Sequence, residues 1–278
     1  MRPILRYFGG KYLLAPWIIS HFPKHRIYVE PFGGAASVLL RKPRSYAEVY
    51  NDLDDGVVAL FQVLRNKENS EHLRLQLERT PYSRREFELA SSYTPDPVER
   101  ARRLIIRSYM GFGADSAIDR YRATGFRSNS NRSGSTPAHD WANYAAAISE
   151  IHERLSGIVI EHRDAIEVMT AHDGPETLHY VDPPYIPETR TRDRARNYNH
   201  EMNLADHEKL LAFVKTLKGS VLISGYEHPI YERELSDWQK QSKHTHADGA
   251  KKRVECLWIN AQAAIERSLT ASAGGERG

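Results

Sequence analysis

Short apolar runs that stop at a glycine, an acid or a proline pair alternate with stretches of helical spacing over residues 1–65, and again from about residue 156. The loop Phe8-Gly9-Gly10-Lys11 precedes a helix predicted over about Tyr12 to His21. Arg26 to Glu30 reads as a strand entering the loop Pro31-Phe32-Gly33-Gly34, and Ala35 to Arg41 continues as a predicted helix. A second strand, Tyr46 to Tyr50, ends at Asn51-Asp52 and is followed by a helix over about Asp54 to Arg65. This strand–loop–helix rhythm predicts a parallel sheet. The rhythm resumes with Ile158 to Glu161, ending near Asp164, and then with the run Leu178, Tyr180, Val181. Leu204 to Leu217 has the spacing of an amphipathic helix, Val221 to Ser224 that of a buried strand, and Arg253 to Ile259 alternates as a late strand.

The intervening stretch, 66–155, has a different texture. Apolar residues recur at helical spacing in Phe87-Glu88-Leu89-Ala90 and Leu104-Ile105-Ile106, with arginines on the faces between. Phe126 to Pro137 carries four serines and two asparagines with almost nothing to bury, so a loop or hairpin tip is expected there. Trp141 to Leu155 returns to helix. The chain contains no internal repeat. The organisation expected is a sheet domain built from 1–65 and 156–265, a mainly helical block inserted at 66–155, and a disordered tail at 266–278.

Composition narrows the class. A chain of 278 residues, 40% hydrophobic and 27% charged, has the makings of a soluble globular protein with an ample core. No stretch of 18 apolar residues occurs, and Met1 to Arg6 lacks the apolar core of a signal peptide, so a cytoplasmic location is expected. A single cysteine, Cys256, rules out an internal disulfide and a thiolate-cluster zinc site. Net charge is only +3, but between Glu99 and Arg132 eight arginines face three acids. A local excess of that kind suits a polyanion, and a solvated face would also explain it.

The chemistry centres on Asp182-Pro183-Pro184-Tyr185, which follows a buried run and so falls at the edge where open α/β sheets bind ligands. An exocyclic amine on an adenine ring is a poor nucleophile because its lone pair is shared with the ring. Two acceptors aimed at its N–H groups, the Asp182 carboxylate and a carbonyl of the proline pair, would localise that pair. Each proline fixes its own φ and restricts the residue before it, so the acceptors are positioned in advance. Tyr185 adds a flat face for an extruded base.

Phe32-Gly33-Gly34, after a strand, reads as a cofactor loop, because glycine permits close backbone approach and a helix start favours a carboxylate or phosphate. It does not match the dinucleotide fingerprint G-x-G-x-x-G. Glu30 suits a ligand ammonium, Asp52 ribose hydroxyls and Asp164 the amino group of a cofactor adenine. Taken singly, each acid fits a loop cap as well as a ligand. Four acids at four predicted strand ends on one edge are a stronger signal.

The series Phe8-Gly9-Gly10-Lys11, Glu30-Pro31-Phe32-Gly33-Gly34, Asn51-Asp52, Asp164 and Asp182-Pro183-Pro184-Tyr185 resembles the Dam-like (D12 class) DNA adenine-N6 methyltransferases. The similarity covers the first 65 residues and about 156–262. It implies a Rossmann-like S-adenosylmethionine-dependent methyltransferase sheet, an α/β fold with an inserted mainly helical target-recognition domain, and double-stranded DNA as partner. By the same resemblance Tyr7, Phe8, Gly9, Gly10 and Lys11 enclose the methionine end of the cofactor, and Pro31, Phe32 and Gly33 line its loop. Asp52 takes the ribose, Asp164 the adenine, and Asp182 to Tyr185 the target base, with Asp182 also reaching the cofactor. No metal is implied. Ile223 to Tyr226 and Lys252 to Trp258 match late motifs of the family with less specificity.

The glycine loop departs from the family pattern at Ala36, where many members carry Gly. A methyl group near a helix start is expected to be tolerated. Arg120-Tyr121-Arg122 and Gly125 to Asn129 match the family's recognition hairpin only loosely, so no target sequence carries over.

DNA contacts are assigned by residue type. Arg190, Arg192, Arg194 and Arg196, just after the proline turn, are candidates for phosphates beside the flipped nucleotide. Arg100, Arg103 and Arg107 share a helical face and are candidates for backbone contact. Arg127, Asn129, Asn131 and Arg132 are candidates for base-edge readout. His244 and His246 fit a surface strand better than a metal site, and Trp17 and Trp238 fit the core or a domain edge. Two rival functions share these features: the same transfer to an amino or amide group of RNA or protein, and a DNA-binding module without activity. The recognition sequence, a partner nuclease and the choice between monomer and weak dimer are not encoded legibly.

Overall fold

A computed structural model of the chain describes residues 2–7, 9–113, 125–128, 135–189, 200–246 and 252–265. Seven strands form one sheet in the order β3-β2-β1-β4-β5-β7-β6. These are β1 (Ile27–Glu30), β2 (Ala47–Asn51), β3 (Val159–Glu161), β4 (Thr177–Val181), β5 (Ser220–Tyr226), β6 (Gln239–His246) and β7 (Lys252–Ile259). The first five run parallel, and β7 lies antiparallel between β5 and β6. The parallel pairing expected from the strand–helix alternation is therefore present. β4, β5 and β7 alternate between two cores. Tyr180, Leu222 and Leu257 belong to one cluster, while Val181, Ile223 and Trp258 belong to the other. A sheet covered on both faces is buried throughout, and β4 and β5 are accordingly buried at nearly every position.

On one face α2 (Asp55–Arg65) packs through Leu60 and Leu64. Its start is fixed by Asp54, whose carboxylate accepts from the N–H groups of Gly56 and Val57. Five further helices follow: α3 (Lys67–Arg79), α4 (Arg84–Leu89), α5 (Pro97–Met110), α6 (Pro137–Ala142) and α7 (Ala147–Leu155). Side chains of Asn66, Ser83, Asp96 and Thr136 cap α3 to α6. Residues 66–155 are thus helical over most of their described length. Their apolar side chains Leu73, Ile105, Ile106, Tyr144 and Ile151 join the same cluster as Tyr28 and Leu39 beside the sheet. The helical block shares one core with the sheet and does not build a second. The opposite face is covered by α8 (Ala165–His172), α9 (Leu204–Val214) and α10 (Pro229–Glu234).

Three expectations are corrected. The first helix is short, α1 (Ala15–Ile19). The predicted helix over Trp141 to Leu155 divides at the turn 143–146 into the end of α6 and the whole of α7. Ala35 to Arg41 forms consecutive turns and no helix. The reason lies in the backbone around Leu39, whose N–H donates to the Glu30 carboxylate at 3.0 Å and whose C=O accepts from Arg154 of α7. Side chains have claimed the groups a helix would use. Ala36 also sits in the left-handed region (φ 51°), which interrupts propagation. Ala36 therefore occupies a backbone position that favours glycine, at a strain on the order of 1 kcal/mol.

Gly33 is required for a different reason. A Cβ there would stand 2.1 Å from Cε2 of Tyr50, whose ring is stacked on Phe61 and whose hydroxyl donates to the Gly34 carbonyl at 2.7 Å. Gly33→Ala is accordingly expected to lower the unfolding free energy by about 1–3 kcal/mol, the usual cost of overpacking. In urea denaturation, combining it with Tyr50→Val should cost less than the two single changes added together. Strict additivity would mean that the ring and the loop do not compete for this space.

Candidate active site

The sheet order reverses at β1: the chain passes outward to β2 and β3, then returns to β4 on the other side. Loops leaving β1 and β4 therefore diverge, and a crevice opens at their C-terminal ends. Glu30 ends β1, Asp52 follows β2, Asp164 follows β3 and Asp182 follows β4. All four acids line one cleft of about 350 Å³, together with Tyr7, Gly9, Gly10, Lys11, Pro31, Phe32 and Gly33. The residues expected to act together are brought together.

The acids are in different states. Glu30, 2% exposed, accepts from the Tyr28 hydroxyl at 2.7 Å and from the Leu39 N–H, both at Oε2. Burial pushes its carboxyl up to about 8. Asp52 spends one oxygen on the Gly34 N–H and the other on the Asp54 N–H, at 2.7 and 2.8 Å, so it shapes the glycine loop as well as facing the cleft. Burial raises its pKa too. Asp164 is exposed and caps α8 through Oδ1. Its Oδ2 has no protein partner among the described residues. Cap and ligand are compatible roles here.

Asn51, for which sequence reasoning named no role, ties the frame together. Its buried amide donates to the carbonyls of Pro31 and Arg163 at 2.9 and 3.0 Å and accepts from the Arg163 N–H at 2.9 Å. One side chain thus cross-links the loops after β1, β2 and β3.

The proline turn carries its own network. Asp182 Oδ1 accepts from Ser224 Oγ at 2.7 Å and pairs with Lys11 Nζ at 2.8 Å. Ser224 is held in turn by the Tyr180 hydroxyl at 3.1 Å. Oδ2 of Asp182 has no partner among the described residues. Lys11 also donates to the Gly9 carbonyl, stands 4.5 Å over the Tyr185 ring and lies 3.6 Å from Glu255 Oε1. The resemblance places Lys11 at the methionine end of a cofactor, and Lys11 lines the cleft with its ammonium seated on the proline turn. With Lys11 over its ring and Tyr226 edge-on at 4.6 Å, Tyr185 is only 8% exposed and presents no open platform in this conformation. Pro183 is buried behind the turn, and Pro184 lines the cleft.

Glu255 was missed. It is 3% exposed on β7, accepts the Tyr185 hydroxyl and is pushed above the ordinary carboxyl range by burial. The available signal was a lone acid inside the apolar run Val254-Glu255-Cys256-Leu257-Trp258-Ile259, since a buried charge is costly unless it is paired.

The DNA-contact candidates fare unevenly. Arg100 is exposed on α5. Arg103 pairs with Glu99 at 2.6 Å and donates to the Ser92 carbonyl, while Arg107 donates to the Ala90 carbonyl. Both fasten α5 to the segment after α4. Arg127 is half-buried beside a bridge that joins Gly111 to Phe126, and its carbonyl accepts the Tyr82 hydroxyl. Phe8, Asn129, Asn131, Arg132, Arg190, Arg192, Arg194 and Arg196 lie outside the described residues. His244 lies on the edge strand β6. No group of three metal-ligating side chains occurs among the described residues, and no helix there is long and apolar enough to cross a membrane.

A mostly parallel seven-stranded sheet whose edge gathers four acids and an Asp-Pro-Pro-Tyr turn is consistent with a methyltransferase. A profile described as D12 class N6 adenine-specific DNA methyltransferase matches residues 7–248, and the chain belongs to that family. It is 25% identical over 253 residues to a DNA adenine methylase of Serratia marcescens, covering 87% of this chain and 88% of the relative. It is 24% identical over 237 residues to a DNA adenine methylase of Salmonella typhi, covering 81% of each. The activity defined by this membership is adenine-specific methylation of DNA.

Glu30 generates a pH prediction. Its folded pKa of about 8 lies above the ordinary 4.5, so the stability it contributes is present at low pH and is lost as pH rises from 4.5 through 8. Denaturation midpoints at pH 6 and 9 should show a smaller loss for Glu30→Gln than for the parent chain. Equal losses would mean that Glu30 ionises normally in the fold.

Proposed function

We propose that the chain takes S-adenosylmethionine as methyl donor and methylates N6 of an adenine swung out of duplex DNA into the crevice beside Asp182. The observation that carries this reading is the pinning of one Asp182 oxygen by Lys11 and Ser224, at the edge where the other three acids converge. The cleft's own features suit such a donor. A buried carboxyl kept protonated by desolvation, Glu30, would regain its charge against an ammonium. Gly33 brings backbone to the cleft wall where no side chain fits. Asp52 and Asp164 offer acceptors to hydroxyl and amino groups, and Phe32 and Ile166 give apolar walls.

When bound, the donor supplies a methyl group whose C–S bonding pair stays with sulfur as the amine lone pair forms the new N–C bond. The protein's part is placement and charge. Asp182 Oδ2 accepts one N6 hydrogen, which draws the amine lone pair out of the ring, and a carbonyl of the proline pair accepts the other. Nitrogen gains a positive charge in the transfer and sheds one proton along the hydrogen bond to Asp182, from which it passes to solvent. Holding reactants in line can contribute about 7–11 kcal/mol of barrier lowering, so alignment and preorganised charge suffice without a covalent enzyme intermediate. Extruding the base costs a few kcal/mol, which contacts in the crevice must offset. Residues 66–155, with exposed Arg100, supply the surface that reads the target.

Asp182→Ala should retain measurable binding of S-adenosylmethionine and duplex DNA while transfer of a tritiated methyl group falls about a hundred- to a thousandfold. Turnover within tenfold of the parent would remove Asp182 from the mechanism.

A further inference from the structure

We infer that Glu255 is a positioning residue for methyl transfer, sharing the Lys11 ammonium with Asp182 so that the catalytic carboxylate keeps its strength as an acceptor. The inference rests on the proposed function and extends it to a side chain outside the proline turn.

Three ionisable side chains meet in a desolvated corner. Lys11 Nζ lies 2.8 Å from Asp182 Oδ1 and 3.6 Å from Glu255 Oε1, and the side chains of Lys11 and Glu255 are 5% and 3% exposed. Lys11 and Asp182 alone would sum to zero, and the ammonium would draw density from the carboxylate that must hold the substrate amine. Burial raises the Glu255 carboxyl, the Lys11 ammonium and the Tyr185 hydroxyl oppose that rise, and as a carboxylate Glu255 makes the sum one negative charge. Transfer then places one positive charge on N6 beside that corner, where a net negative charge stabilises the transition state more than the ground state. The N–C bond forms from the nitrogen lone pair, the C–S pair remains on sulfur, and the surplus proton leaves through Asp182.

Glu255 also fixes geometry. It pairs across the sheet with Tyr226 of β5 and accepts the Tyr185 hydroxyl, while Tyr226 meets the Tyr185 ring edge-on. Both aromatic rings beside the turn are therefore registered by one strand pair. A role in stability alone does not explain the choice of residue, because a whole buried ion group can often be replaced by apolar side chains of similar volume without loss of stability.

Glutamine separates charge from geometry, since its amide oxygen can still accept the Tyr185 hydroxyl. With saturating S-adenosylmethionine and duplex DNA, single-turnover transfer by Glu255→Gln should fall about a hundredfold. Its calorimetric Kd for S-adenosylmethionine should stay within about threefold of the parent, a split that general loosening of the site would not produce. Tyr185→Phe, which removes only the hydrogen bond, should lose less. Lys11→Met should slow transfer by a smaller factor when added to Glu255→Gln than when made in the parent. A Glu255→Gln rate within threefold of the parent, or a rate loss matched by lost cofactor affinity, would overturn the inference. If Glu255→Gln does not fold, the double variant with Lys11→Met carries the test: without Lys11 there is no ammonium for Glu255 to share, so transfer within about threefold of Lys11→Met alone supports the inference and a further hundredfold loss overturns it. Absence of DNA methylation by the parent chain would instead sink the proposed function, and this inference with it.

Discussion

One desolvated contact organises this site: the ammonium of Lys11 against Oδ1 of Asp182. A carboxylate at the end of a buried strand is costly unless it is paired, and here the partner arrives from the N-terminal loop, far away in sequence. Pairing one oxygen through Lys11 and Ser224 leaves the second oriented and unspent. A freely rotating carboxylate would have to be ordered at each turnover. This one is ordered by the fold, because Ser224 sits on β5, next to the strand that ends at Asp182.

The same economy runs through the glycine loop. Glu30 takes the Leu39 N–H, Arg154 takes the Leu39 carbonyl, and Arg154 also pairs with Glu48 on β2. Lys42 pairs with Glu48 as well, and its ammonium lies 4.4 Å over the Tyr28 ring. A helix from the 66–155 block thus reaches into the sheet domain and helps set the loop that faces the cleft. Because the block and the sheet share one core, a load on α7 is not isolated from the cleft. Asn51 does the corresponding work on the far side by tying three strand-end loops together.

Much of this was legible from the chain. The alternation of strands and helices, the parallel pairing and the convergence of Glu30, Asp52, Asp164 and Asp182 follow from local pattern, and local pattern is where sequence is strongest. What escaped depended on tertiary partners. Ala35 to Arg41 has helical composition, but Glu30 and Arg154 capture the backbone groups that a helix needs. Arg103 and Arg107 look like a cationic face until Glu99 and two carbonyls are placed against them. Tyr185 looks like an open platform until Lys11 and Tyr226 are packed on it. Glu255 was visible only as an anomaly, an acid in an apolar strand, whose partners come from residues 11 and 185.

The central claim is that the crevice at the β1–β4 reversal receives the methyl donor beside Asp182. A crystal structure of the chain soaked with S-adenosylmethionine tests it most directly. The account predicts the donor's ammonium at Glu30, its ribose at Asp52, its adenine at Asp164 and its sulfur facing the Asp-Pro-Pro-Tyr turn. Density for the donor elsewhere on the protein, with this crevice holding only solvent, would contradict it.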